Sequence, residues 1–267
     1  MIKIKSAQEI EYMKAAGVKL GKVFDLLKSH IVPGISTKEL DALAYKYIKE
    51  QGCKPSFLGY EGFPGSICAS VNETLIHGIP SEEIVLKDGD IISIDMGLID
   101  KTHFQADACR TFMVGNCSDE VKRLVETTER CFYEAMKIVK PGIRVTDISA
   151  KIQEVAFSEG YSLVEEFGGH GIGKEMHEDP FIPNCGEKGH GPILQKNMCI
   201  CIEPMVMQGK KEITISPFDG WTVKSKDRRL TCHYENTLVI TQDGCEITTV
   251  DSSVISHLGG NKYETRW

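Results

Sequence analysis

The sequence predicts an α+β protein whose two related halves share a largely antiparallel sheet, and three observations lead there. Helical periodicity comes in two pairs, each pair is broken by a Pro-Gly segment, and a strand-like alternation follows each pair. The two sets stand at a constant spacing. Pro33 and Pro141, Gly34 and Gly142, Asp41 and Ser149, and Gly52 and Gly160 each differ by 108. The strand segment LKDGDIISIDMG begins at Leu86 and LQKNMCICIEPM at Leu194, again 108 apart. That period is far longer than a solenoid repeat and reads as an internal duplication. Helices segregated from strands in this order argue for α+β rather than a βαβ array.

The first helix opens at Ser6, with Glu9 completing a capping box, and carries Ile10, Met13, Val18, Leu20, Val23, Phe24 and Leu27 at helical spacing. After VPGIS (32–36), a second helix starts at Ser36 or Thr37, runs through Leu40, Leu43, Ala44, Tyr47 and Ile48, and stops at Gly52. In the second half Ser118 opens a helix through Val121, Leu124, Val125, Cys131, Phe132, Ala135, Met136 and Val139. KPGIR (140–144) breaks it, and a fourth helix carries Ile148, Ile152, Val155 and Phe157 to Gly160. No Pro/Gly/Ser linker or charge run separates the halves. Residues 1–267 are therefore expected to form a single domain, with the repeat spanning approximately 6–115 and 118–250. LGGNKYETRW, from Leu258, reads as a short tail.

Composition narrows the function. A net charge of −7 argues against a wide basic surface for nucleic acid. No run of about 18 apolar residues is present to span a membrane. MIKIKSAQEIEYMK has no apolar h-region, so it does not read as a secretory signal. The ten cysteines include no CxxC, and several fall at apolar periodic positions, as Cys131, Cys199 and Cys201 do. Reduced thiols in the cytoplasm are expected.

Candidate chemistry starts at Asp90–Thr111. Ile92, Ile94 and Met96 alternate with Ile91, Ser93 and Asp95, which places a carboxylate at the end of an apolar strand. Asp107 follows twelve residues later, after the turn-like GLIDK, on a second extended run. The repeat sets Asp95 against Glu203, so each half interrupts the same strand with a carboxylate. FGGHGIGKEMHEDP surrounds His170 with glycines, which exclude a stable helix and allow close backbone approach. His177 follows, without the second His that HExxH requires. In LTCHYENTLVIT, alternation puts His233, Glu235 and Thr237 on one face of a strand. Converging, the carboxylates Asp95, Asp107, Glu203 and Glu235 would repel unless cations neutralised them. With His170 they suit two first-row divalent ions (Mn, Fe, Co or Zn) roughly 3.5–4 Å apart sharing a water.

The ordered set VNETLIHGIP, IDMG, QADACRTF, GGHGIGKEMHEDP, CIEPM and HYENTLVIT resembles the methionine aminopeptidases of the bacterial type I form across nearly the whole chain. The resemblance implies the pseudo-symmetric "pita-bread" fold. It implies removal of the initiator methionine from nascent chains whose second residue is small. It assigns Asp95 to one metal, Asp107 and Glu235 to both, and His170 and Glu203 to the other. Glu203 would shuttle a proton to the leaving amine, His177 would bond the developing oxyanion, and His77 would lie against the scissile amide. Tyr60, Phe63, Cys68 and Trp221 match pocket positions for the methionine side chain. Glu61, Phe57 and Met176 depart from the family at the pocket, but none is a ligand. Implied partners are nascent polypeptide N-termini and the ribosome that presents them, with a monomeric enzyme and no nucleic-acid substrate. An X-Pro peptidase of the same fold normally carries a large extra N-terminal domain and EPG where Met205 follows Pro204 here. A metal-free binding module would have lost ligands, and all five positions are intact.

Overall fold

The computed structural model describes residues 1–259, and the tail beyond them, 260–267, lies outside the described residues. Four long helices form where the spacing predicts: α1 (Ala7–Lys28), α2 (Thr37–Glu50), α3 (Asp119–Ile138) and α4 (Val145–Ser158). Ser6 and Ser36 each close a capping box with the glutamate three residues on, and the Ser118 hydroxyl caps α3. A short α5 (Ser252–His257) starts on Asp251, whose carboxylate accepts from the N–H groups of Ser253 and Val254. Phe157 departs from the pattern: it is 53% exposed, on the outer side of α4.

The nine strands of the main sheet are β1 (Lys54–Pro55), β2 (Cys68–Val71), β3 (Ile91–Ile99), β4 (Gln105–Met113), β5 (Gly168–Gly171), β6 (Glu178–Pro183), β7 (Cys199–Ile202), β8 (Glu235–Ile240) and β9 (Cys245–Ile247). They run in the order β1-β3-β4-β8-β7-β5-β6, with β2 on β3 and β9 on β8, and the pairs are antiparallel. Apolar residues of α1 and α2 pack on β3 and β4, and those of α3 and α4 on the second half's strands. Gly17 and Gly21 let α1 lie on the chain at 248–251, where a Cβ at Gly17 would sit 2.1 Å from the Thr248 carbonyl oxygen.

The 108-residue spacing returns in the hydrogen bonding. Isolated bridges join Ser36 to Val85 and Arg144 to Ile193. The Gly34 N–H donates to the Leu86 carbonyl at 2.8 Å, and the Gly142 N–H to that of Leu194 at 2.9 Å. Both glycines hold φ near +100°, the left-handed region a break between helices needs (+99° and +96°).

Two details of the sequence reading change. β3 runs on to Ile99, so Asp95 lies in the middle of a strand rather than at its end, and the turn begins at Asp100. LTCHYENTLVIT is two strands rather than one. Thr231–His233 pairs with Met205–Met207 in a small separate sheet, and the chain crosses into the main sheet at Tyr234. Glu203–Pro204 makes the same crossing alongside, where the Tyr234 N–H donates to the Pro204 carbonyl at 3.2 Å.

Candidate metal centre

Register alone brings the carboxylates together. Cys68 pairs with Asp95, Asp95 with Cys109, and Cys109 with Glu235. The β7–β8 register, in which Asn236 faces Ile202, carries one residue on to set Glu235 beside Glu203. Paired residues share a face, so Cys68, Asp95, Cys109, Glu235 and Glu203 form one row across the sheet. One pleat away on the same face runs a second row. Gly97 pairs with Asp107 and Thr237 with Cys201, while Gly171 opposite Ile200 brings His170 to the end beside Cys201. The Thr237 hydroxyl joins the middle of that row by donating to the Asp107 carbonyl at 2.8 Å. The five predicted ligands thus fall in two neighbouring rows. Two glycines allow close packing here: a Cβ at Gly169 would meet the Cys201 carbonyl oxygen of the neighbouring strand at 2.1 Å, and one at Gly97 would meet the Met176 methyl at 2.6 Å.

The ligand atoms converge. His170 Nε2 lies 3.6 Å from Asp107 Oδ2 and 3.7 Å from Glu203 Oε1. Its Nδ1 donates to the Gly171 carbonyl at 2.8 Å, which leaves the Nε2 lone pair turned into the site. Burial, then the charges of Asp107 and Glu203, push the carboxyls of Asp95 and Glu235 well above the usual range. Burial also works against ionisation of Glu203, but the His233 imidazole beside it and then His170 hold its carboxyl below the usual range. Asp95 Oδ1, Asp107 Oδ1 and Glu235 Oε1 are buried without a hydrogen-bond partner among the described residues. Such orphaned acceptors cost about 1–3 kcal/mol each when nothing satisfies them. Hard carboxylate oxygens and one imidazole, unsatisfied and facing one another, fit divalent cations.

The accessory residues line the same cavity, of about 710 Å³. The Tyr60 hydroxyl lies 2.9 Å from Nδ1 of His177, whose ring meets that of His170 edge-on at 4.5 Å. Burial, and then His170, lower the His177 pKa, which keeps that imidazole neutral. His77 adopts φ +57° and sits edge-on to Trp221 and Phe167, and burial brings its pKa down to about 4. Phe63 packs edge-on against Trp221 at 5.2 Å, and Cys68 lies at the end of the first row. All the candidate residues therefore meet in one place. Of the family departures, Glu61 is exposed at the rim, Phe57 lines the cavity, and Met176 is buried beneath Gly97.

Two residues of the site were not named as site residues from the sequence, although alternation placed His233 on the face of Glu235. Cys201 groups with Asp107, His170 and Glu235, and His233 groups with Glu203 and Glu235. Each stands two positions before a predicted ligand, so strand parity was the signal that could have found them. Burial, followed by the neighbouring carboxylates, pushes the thiols of Cys68, Cys109 and Cys201 well up. They stay protonated and act as small spacers between the carboxylates.

Behind the sheet, Arg110 is buried on the opposite face. Its guanidinium donates to the carbonyls of Cys109 (2.9 Å) and Glu235 (2.6 Å), to Asn236 Oδ1 (2.7 Å) and to Asp251 (2.7 Å). At the cavity mouth the N-terminal segment straps the start of β6, next to His177. Lys5 Nζ meets Glu178 at 2.6 Å, Lys3 meets it at 3.1 Å, and the Met1 amine pairs with Asp179.

A family model described as metallopeptidase family M24 matches residues 11–242. A methionine aminopeptidase of Clostridium acetobutylicum is 48% identical over 250 residues, covering 94% of this chain and 99% of that protein. The crystal structure of a methionine aminopeptidase from Thermotoga maritima is 40% identical with a TM-score of 0.92, covering 94% of this chain and 100% of that one. A prolidase from Pyrococcus furiosus, 24% identical with a TM-score of 0.77, covers 93% of this chain and 66% of its own, and shares the fold alone. Pita-bread architecture, ligand rows and sequence agree: the chain belongs to metallopeptidase family M24.

Proposed function

We infer that this protein is a metal-dependent methionine aminopeptidase that removes the initiator methionine from nascent chains when the second residue is small. The observation that carries the reading is the pair of rows that turns Asp95, Asp107, His170, Glu203 and Glu235 toward one point of the sheet. Asp95 would hold one ion, Asp107 and Glu235 both, and His170 with Glu203 the other. Two divalent ions held there (Co, Mn, Fe or Zn) would supply neutralising charge, polarisation of the scissile carbonyl and an acidified water.

The remaining work falls to the chain's own residues. With Tyr60 donating to Nδ1, the proton of His177 resides on Nε2, where it can bond the carbonyl oxygen as negative charge develops. His77, neutral at working pH because burial brings its pKa to about 4, orients the scissile amide. Glu203 accepts the proton released by the attacking water and delivers it to the leaving amine. Tyr60, Phe63, Cys68 and Trp221 enclose the methionine side chain with apolar and aromatic surface, which suits a flexible thioether.

Residues 1–267 act as one catalytic domain, with halves of about 6–115 and 118–250. It works as a monomer in the cytoplasm, on chains whose N-termini emerge from the ribosome. Among the described residues no helix is long and apolar enough to cross a membrane. The test is release of methionine from Met-Ala-Ser and Met-Leu-Ser by metal-stripped protein resupplied with Mn, Co, Fe or Zn. Release from the first peptide alone supports the reading. Cleavage of an X-Pro peptide instead, or no release with any metal, overturns it.

A further inference from the structure

His233 is a buried imidazole that the assignments above leave without work. It is 1% exposed and yet lines the site cavity, and neither ring nitrogen has a hydrogen-bond partner among the described residues. Leaving such a group unsatisfied costs about 1–3 kcal/mol, so a buried imidazole with two idle nitrogens needs a use. Its Nε2 stands 3.5 Å from Glu203 Oε2, while His170 Nε2 stands 3.7 Å from Glu203 Oε1. The carboxylate therefore lies between two imidazoles, one at each oxygen.

The backbone beneath His233 is pinned. Its N–H reaches the hydroxyls of Ser93 and Thr111, each at 3.3 Å. Its carbonyl accepts from Thr111 at 2.8 Å and from the Cys109 thiol at 3.5 Å. Both hydroxyls belong to the strands that carry Asp95 and Asp107, so the imidazole is referenced to the first half of the site. Glu203 is placed differently. It sits past the end of β7, in the crossing between two sheets, and its last torsion is broad and roughly two-fold. Left alone, it would exchange its two oxygens.

We propose that His233 is a positioning residue for Glu203: a hydrogen bond from Nε2 to Oε2 fixes the carboxylate so that Oε1 faces His170, with which it would hold an ion, and Oε2 would be the oxygen that carries the proton. The 3.5 Å separation closes with a small rotation, as hydrogen bonds of a site tighten when it is filled. The inference rests on the aminopeptidase reading and assigns separate duties to the two oxygens of one residue.

Three variants separate a hydrogen bond from mere shape. His233→Gln keeps a donor with comparable reach, His233→Asn keeps a donor that is too short, and His233→Leu removes it. Each is stripped of metal, titrated calorimetrically with Mn(II), examined as the Co(II) form by visible absorption, and assayed on Met-Ala-Ser. The Leu and Asn variants are expected to bind Mn(II) about 10–100-fold more weakly, the usual cost of losing a group that orients a ligand. Their kcat should fall comparably, with KM within about twofold of the parent, while the Gln variant stays within about threefold throughout. Its Co(II) spectrum should match the parent's. Parent-like Mn(II) binding and kcat in the Leu variant overturn the proposal. Gln and Asn variants that behave alike do so as well. A shifted Co(II) spectrum in the Gln variant makes His233 a ligand instead, which also overturns it. If the parent protein releases no methionine, the functional reading fails, while the Mn(II) titrations still report on Glu203.

Discussion

Asp95 and Glu235 face the same residue, Cys109, from strands on either side of it. One carboxylate belongs to the first half of the chain and the other to the second, so the charges meet at the seam of the duplication. Asp95→Ala should leave the fold intact, because it deletes a buried acceptor that has no partner among the described residues. It should lower metal content from two ions to one and activity on the order of 10³-fold. Elemental analysis beside a far-UV spectrum checks this, and full metal occupancy in the variant would mean that Asp95 is wrongly placed.

Metal removal should make stability depend on pH with a definite sign. Asp95 and Glu235 have folded pKa values raised by burial and then by Asp107 and Glu203. Such a carboxyl binds more protons folded than unfolded. Its contribution is complete below the unfolded value of about 4 and is lost as pH rises through the raised folded value. His170, also raised, acts in the same sense. His77 and His177 act oppositely, but only below about pH 6.5, the unfolded imidazole value. From about pH 6.5 to about pH 8.5, metal-stripped protein should therefore lose thermal stability. Saturating Mn(II) should abolish that slope, and an equal Tm at both ends for the stripped protein would contradict the account.

Tyr60→Phe tests the tautomer of His177. With the 2.9 Å contact to Nδ1 gone, the imidazole loses the partner that fixes its proton on Nε2. We expect kcat to fall about 2–10-fold, the worth of one hydrogen bond, with methionine binding little changed. A larger change in KM than in kcat would move Tyr60 from orientation to binding.

The strap at the cavity mouth should be costly to cut on one side only. Lys5→Met leaves Glu178 buried with the half-exposed Lys3 as its ion-pair partner and should destabilise the fold by about 3 kcal/mol, as loss of half a buried pair does. Adding Glu178→Gln should recover much of that loss, a recovery that denaturant unfolding of the double-mutant cycle measures.

Much of this was legible in the residues because the relevant signals are periodic. Capping serines, Pro-Gly breaks and the spacing of 108 located α1 to α4, and the matching bridges Ser36–Val85 and Arg144–Ile193 obey the same offset. Asp95 and Glu203 stood out because each interrupts the same apolar strand of its half. His233 was less visible, since a strand break at Tyr234 shifts it into another sheet while its ring still returns to Glu203. Cys201 was hidden by its chemistry: a thiol in an apolar strand looks the same whether its neighbours are core or ligands. Phe157 misled because helical spacing reports a face and not whether anything covers it.

The guanidinium of Arg110 grips the carbonyls of Cys109 and Glu235 from the far side of the sheet. Because side chains alternate faces, a one-residue insertion or deletion would send a ligand to the back and bring its neighbour forward: Asp107 in β4, Glu235 in β8. It would also pull a buried guanidinium off its acceptors, so the misaligned chain would be penalised even before metal is offered. Insertion scanning should therefore find the Gln105–Met113 and Glu235–Ile240 strands intolerant of any change in length. The turn that exposes Phe218 to solvent should accept extra residues freely.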